Sequence, residues 1–184
     1  MKTLVIGNGG REHALAWKLS QSSRVDRVFV AAGNAGTALD AENVDIPATD
    51  VKGLVAFAKQ NEIGLTVVGP EAALAAGVVD AFQQAGLRAF GPSKAASELE
   101  TSKVFCKNLL RHADVATADY HVFRDARSAT TYLKERDDTP CVVKADGLAA
   151  GKGVVVCDNH IQALEAIERI GIHKEFGDAG NRIV

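Results

Sequence analysis

The run Val142-Val143-Lys144-Ala145-Asp146-Gly147-Leu148-Ala149-Ala150-Gly151-Lys152-Gly153-Val154-Val155-Val156 sets two lysines and three glycines between two β-branched segments. Glycine lets a backbone approach a ligand closely and hinge. Lysine ammonium groups stabilise charge on a transferring phosphoryl group. A Walker A loop reads G-x-x-x-x-G-K-[ST] and leads into a helix, whereas Gly151-Lys152-Gly153 leads into a strand-like run. The stretch is read as a mobile hairpin that covers phosphate, a property of a nucleotide-using enzyme. A surface hairpin with incidental lysines is the alternative. Lys103 stands near a helix start, and composition alone assigns it nothing.

A second set of residues lies nearer the start. Gly7-Asn8-Gly9-Gly10 follows an apolar run and opens a helix. Backbone N–H groups there can hold an anion, or the run is a plain tight turn. It is not a dinucleotide fingerprint, because positions 7, 9 and 12 are Gly, Gly and Glu, without the third glycine that G-x-G-x-x-G requires. That argues against a nicotinamide-dependent oxidoreductase. Arg11 could reach a phosphate or carboxylate, and His13 is read as a surface or supporting residue with no catalytic role. Gly33-Asn34-Ala35-Gly36 and Gly69-Pro70-Glu71 each follow an apolar strand. In doubly wound sheets ligands bind at those strand ends. Glu71 is open between two readings: an acceptor for a ribose hydroxyl or amine, or a carboxylate favoured by a helix N-terminus.

The elements that must position these residues follow from periodicity. Strands are expected at 3–6, 27–31, 43–46, 65–68 and 87–90. Helices are expected at 11–21, from 51 (capped by Asp50 and closed by Gly64), at 74–84 and at 93–112, the last broken near Glu100-Thr101-Ser102. Short continuous apolar strands alternating with helices indicate a parallel sheet covered on both faces, an α/β architecture. Beyond a boundary placed at 113–122 the pattern becomes α+β. It has strands at 120–123, 141–144 and 153–157, a helix at 126–135 capped by Asp125, and a helix at 161–170 opened by Asn159 and Gln162. Arg182-Ile183-Val184 begins like a strand, so the chain is expected to be a fragment.

Composition sets the outer limits. The chain has 184 residues, 47% of them hydrophobic and 24% charged, with a formal charge of −2. These values suit a globular chain with its own core, and they give no electrostatic case for nucleic acid or a membrane surface. No apolar run approaches a membrane span, and no signal peptide is expected, so the cytoplasm is the expected location. Cys106, Cys141 and Cys157 match no zinc spacing. Cys141 and Cys157 are read as buried small hydrophobes.

Taken together, these residues resemble the glycinamide ribonucleotide synthetase (phosphoribosylamine–glycine ligase) family of the ATP-grasp superfamily. The resemblance rests on Val5-Ile6-Gly7-Asn8-Gly9-Gly10-Arg11-Glu12-His13-Ala14-Leu15, Gly33-Asn34-Ala35-Gly36-Thr37 and Thr66-Val67-Val68-Gly69-Pro70-Glu71. It continues through Phe90-Gly91-Pro92-Ser93-Lys94-Ala95-Ala96, Leu99-Glu100-Thr101-Ser102-Lys103, the run from Lys144 to Val154, and Phe176-Gly177-Asp178-Ala179-Gly180. It implies a Rossmann-like pre-ATP-grasp domain over 1–122 and a small α+β ATP-grasp lid over 123–184. It implies that ATP drives the joining of glycine to 5-phosphoribosylamine through glycyl phosphate.

The resemblance also assigns residues. Lys103, Lys144 and the loop Gly147, Leu148, Ala149, Ala150, Gly151, Lys152 and Gly153 fall on the ATP side. Gly9, Gly10, Glu12, Gly69, Pro70 and Glu71 fall on the phosphoribosylamine side. No residue here is assigned a catalytic role, and no metal ligand is expected. The acidic residues that hold Mg2+ or Mn2+, and the rest of the enzyme chain as a partner, are expected beyond Val184, so the isolated chain is expected to lack ligase activity. Two departures stand out: Ala73 and Ala116 occupy positions where the family commonly has proline. Ala116 gives up a rigid linker residue. A non-catalytic partner-binding module is the third reading.

Overall fold

The computed structural model describes residues 1–149 and 151–184. The chain divides into two compact units, Met1–Ser97 and Glu98–Val184.

The first unit runs β1 (Lys2–Gly7), α1 (Gly10–Ser20), β2 (Arg27–Ala32), α2 (Thr37–Asp40), β3 (Glu42–Val44), α3 (Val51–Gln60), β4 (Ile63–Val68), α4 (Glu71–Ala75), α5 (Val78–Gln84) and β5 (Ala89–Phe90). Helix α6 (Lys94–Thr101) carries the boundary. The five strands form one parallel sheet in the order β3-β2-β1-β4-β5. Strand β1 is central, and its side chains alternate between two cores. Leu4 and Ile6 pack with Phe29, Leu54 and Phe82 on one face. Val5 packs with Ala16, Val28 and Val30 on the other. The expected two-sided burial is therefore present, and it explains the unbroken apolar strands. The chain departs from β1 to one side and returns to β4 on the other. The switch point lies between the carboxyl ends of β1 and β4, where a crevice forms in such sheets.

Three local expectations change. Gly64 does not close α3. It lies inside β4, and the helix ends at Gln60 with Asn61 as its C-cap, after which Glu62 takes the left-handed conformation at φ 55°. The helix expected at 74–84 is two helices, starting earlier at Glu71 and broken by Gly77 at φ 84°. The expected strand at 87–90 shrinks to Ala89–Phe90.

The second unit holds α7 (Lys103–His112), α8 (Ala126–Glu135), an antiparallel hairpin of β6 (Cys141–Lys144) and β7 (Val154–Cys157), and α9 (His160–Ile167). A π-helical turn, Glu168–Ile172, and a 3-10 turn, Gly177–Asn181, follow. Its own core joins Ala129 and Leu133 of α8, Val143 and Cys157 of the hairpin, and Ala163, Ala166 and Ile167 of α9. Asp125 and Asn159 cap α8 and α9 as expected, accepting from Ser128 and Gln162 N–H groups. Cys157 is buried, while Cys141 is only half-buried, and all three cysteines are free. The expected strand at 120–123 is absent. Only Phe123 pairs, in a single antiparallel bridge to Ile183. The expected boundary at 122/123 falls inside this unit, because α7 is tied to the loop after β6 through Asp146.

Candidate functional site

Two groups of residues carry the chemistry, one in each unit. In the first unit the switch point brings together Gly9, Gly10, Glu12, Gly69, Pro70 and Glu71. Glu12, in the first turn of α1, is only 3% exposed. Its Oε2 accepts from the Gly9 N–H at 2.8 Å, and its Oε1 accepts from Arg11 Nε at 2.9 Å. Arg11 Nη1 reaches Glu71 Oε1 at 3.2 Å. Pro70 precedes α4 in extended conformation, so Glu71 starts that helix. The Glu71 carboxyl is held below the usual range, first by its own backbone N–H and then by Arg11. The Arg11 guanidinium is raised by its bonds to Glu12 and Glu71.

The Gly33-Asn34-Ala35-Gly36 turn is built by Asn34. Its Oδ1 accepts from the Gly36 and Thr37 N–H groups at 2.7 and 3.0 Å, and its Nδ2 donates to Asn8 O at 2.9 Å. That bond joins this turn to the one after β1. His13 pairs with Asp40 at 2.8 Å, and its ring fills the space where a side chain at Gly36 would stand.

In the second unit the organising residue is Asp146, which the sequence did not single out. It is 4% exposed. Its Oδ1 accepts from the Val104 N–H at 2.8 Å and from Ser102 Oγ at 3.1 Å, and Arg182 pairs with its Oδ2. Its backbone carbonyl accepts from the Lys103 N–H at 3.2 Å. Ser102 caps α7, accepting from the Phe105 N–H. The start of α7 is thus anchored to the base of the glycine loop, and Lys103 Nζ donates to Gly147 O at 3.0 Å. Burial pushes the Lys103 ammonium pKa down, Asp146 opposes this, and the nearby Lys144 charge lowers it further.

Lys144 ends β6. Its backbone exchanges bonds with Val184 at 2.8 and 2.9 Å, and its side chain is half-buried. A side chain at Gly147 would stand 3.0 Å from Ala179, and Gly153 has Ala149 and Ala145 where a side chain would go. Gly151 is left-handed at φ 78°, and the Lys152 N–H closes the turn onto Ala149 O at 2.8 Å. Leu148, Gly151 and Lys152 are exposed. Ala150 lies outside the described residues. An open cleft of about 600 Å³ is lined by Ser102, Asp146, Gly147, Leu148, Asp178 and Arg182.

Lys103, Lys144 and the loop are therefore brought together, with the lysine donors and glycine backbone that phosphate oxygens require. Asp146 and Arg182 escaped sequence reasoning because their partners lie in distant segments. The only signal was an acid placed between an apolar strand and a glycine. Among the described residues, no group of three His, Cys, Asp or Glu side chains could hold a metal ion, and no helix is long and apolar enough to cross a membrane.

Comparison with known proteins places these two groups in a family context. Residues 1–100 match the N domain of phosphoribosylglycinamide synthetase, and residues 101–184 match its ATP-grasp (A) domain. The phosphoribosylamine–glycine ligase of Rhodopirellula baltica is 63% identical over 98% of this chain and 43% of its own length. The crystal structure of phosphoribosylamine–glycine ligase from Thermotoga maritima superposes with a TM-score of 0.75 at 25% identity, covering 100% of this chain and 42% of that one. The biotin carboxylase domain of Hydrogenobacter thermophilus 2-oxoglutarate carboxylase, solved with MgADP and bicarbonate, shares the fold at a TM-score of 0.73 and 16% identity, covering 98% of this chain and 43% of that one. The chain spans less than half the length of the relatives it matches. It belongs to the phosphoribosylglycinamide synthetase family.

Proposed function

We propose that this chain supplies the phosphoribosylamine-side domain and part of the ATP-grasp domain of a ligase. That ligase joins glycine to 5-phosphoribosylamine, giving glycinamide ribonucleotide, ADP and phosphate, a step of purine synthesis in the cytoplasm. The observation that carries this reading is the Asp146 anchor, which holds Lys103 and the base of the glycine loop as one piece beside Lys144.

In the proposed reaction a glycine carboxylate oxygen attacks the γ-phosphorus of ATP and ADP departs. The phosphoribosylamine nitrogen then attacks the acyl carbon of glycyl phosphate, loses a proton, and phosphate departs. Lys103 and Lys144 bind phosphoryl oxygens and offset their charge. The loop 147–153 excludes water, which would hydrolyse an acyl phosphate. In the first unit Gly9, Gly10, Gly69 and Pro70 shape the turns, and Glu71 accepts from an amine or ribose hydroxyl. Mg2+ or Mn2+ would shield the polyphosphate. Acidic residues in the remainder of such an enzyme, the expected partner, are proposed to hold it. Neither nucleic acid nor a membrane is part of the proposal.

Titration of ATP into the 184-residue chain tests this reading. Weak binding is expected, and Lys144→Met and Lys103→Met each weaken it by about tenfold or more. Equal ATP affinity in the native chain and both variants would overturn it. No turnover is expected from the isolated chain, and steady-state ligation by it would contradict the division of labour proposed here.

A further inference from the structure

The turn after β1 looks like an anion cradle, yet it is already filled from within. A side chain at Gly7 would stand 2.5 Å from Glu12 Cγ, at Gly9 2.9 Å from Glu12 Oε2, and at Gly69 2.6 Å from Glu12 Cδ. Three glycines on two separate turns are thus needed to make room for one carboxylate. That carboxylate takes the Gly9 N–H, one of the donors a phosphate at this helix start would use. It stands at the position of the third glycine in a dinucleotide fingerprint, where it turns back into the space that a pyrophosphate would need. A ligand phosphate there would meet a like charge with one of its donors already engaged.

Arg11 is held at both ends, by Nε on Glu12 and by Nη1 on Glu71. A guanidinium is a rigid fork of donors, so fixing one edge on a buried carboxylate sets the direction of the other. Arg11 engages only Oε1 of Glu71, and the lone pairs of a carboxylate's second oxygen suit a hydrogen-bond donor.

We infer that Glu12 is a built-in anion that closes the start of α1 to phosphate and braces Arg11, and that Arg11 is the positioning residue that aims Glu71 at a donor group of the ligand. This rests on the reading of the first unit as the phosphoribosylamine side and deepens it. The hydroxyl or amine end of the ligand meets this turn, and its phosphate is received elsewhere. The groups facing the Glu71 carboxylate are Arg11 and the Glu71 backbone N–H, with Glu12 behind Arg11.

The test uses the 184-residue chain and inorganic phosphate. Carbon-13 resonances of labelled glutamate follow the Glu71 titration midpoint, and nitrogen-15 amide resonances of Gly9, Gly10 and Glu12 report phosphate at the turn. In the native chain phosphate is expected to leave these amides unmoved. The Glu71 midpoint is expected to rise in Arg11→Met and to return part of the way in Arg11→Lys. In Glu12→Gln the side chain can still accept from Gly9 and the lost negative charge by itself lowers the midpoint, so the expected rise there reports Arg11 leaving its place. Arg11 is half-exposed, so its variants retain the fold, which circular dichroism checks. Saturable phosphate shifts at Gly9 and Gly10 of the native chain would overturn the closed cradle. An unchanged Glu71 midpoint in Arg11→Met would overturn the positioning role, and an unchanged or lowered midpoint in Glu12→Gln would overturn the brace. No arm uses phosphoribosylamine, so a failure of the substrate reading leaves these outcomes standing.

Discussion

Asp146 shows how one buried carboxylate organises a site made mostly of backbone. It accepts from Val104 and Ser102, pairs with Arg182, and lies one residue before the carbonyl that holds Lys103. Replacing it with alanine leaves a buried Val104 N–H without its acceptor and Arg182 without its partner. The expected cost is about 2–4 kcal/mol, read as a fall in the denaturation midpoint, with ATP binding lost together with it. Asp146→Asn keeps an acceptor for Val104 and is expected to cost less. An alanine variant as stable as the native chain would show that the anchor carries no energy.

Glu71 gives a pH dependence of known sign. Its folded pKa lies below the unfolded value, so acid protonates the unfolded chain first. The contribution is present above the ordinary glutamate range and is lost as pH falls through the lowered folded value. Glu71→Gln is expected to flatten the decline of the melting midpoint across that window. An equally steep decline in both proteins would remove Glu71 as a contributor.

At the scale of elements, glycines act through what surrounds them. Gly77 breaks what periodicity reads as one helix, because its φ of 84° lies where a side chain is strained. Gly77→Ala is expected to destabilise the first unit by about 1 kcal/mol, checked by denaturant unfolding. Gly153 has an ordinary backbone but no room, with Ala149 2.6 Å and Ala145 3.2 Å from a would-be side chain. Gly153→Val is expected to displace the loop and weaken ATP binding.

These cases show what was legible in the sequence. The parallel sheet could be read because each buried strand is an apolar run closed by glycine or proline, a local signal. The caps Asp50, Asp125 and Asn159 were legible for the same reason. The strand expected at 120–123 was not, because Phe123 pairs only with Ile183, far along the chain. Glu12 was placed near the right turn, but its inward direction depends on the absence of side chains at Gly7 and Gly69, which no periodicity records.

For the whole molecule the relevant fact is that each unit has its own core. Leu4, Ile6, Phe29, Leu54 and Phe82 close one face of the sheet and Val5, Val28 and Val30 the other, all within Met1–Ser97. Leu133, Val143, Cys157, Ile167 and Ile183 close the second unit within Glu98–Val184. The fading apolar period puts a boundary at 113–122 and the family resemblance sets it at 122/123, yet α7 belongs with the glycine loop through Asp146. A division near residue 97 predicts that residues 1–97 alone form the five-stranded sheet, since no strand pairing of that sheet uses a later residue. A peptide ending at 97 is expected to unfold cooperatively with dispersed amide resonances matching those of the longer chain. The Arg11–Glu71 pair should persist in it, with the Glu71 carboxyl still titrating below the usual range. A collapsed peptide without resolved resonances would show that the first unit depends on residues beyond 97, and would return the boundary toward the one read from the sequence.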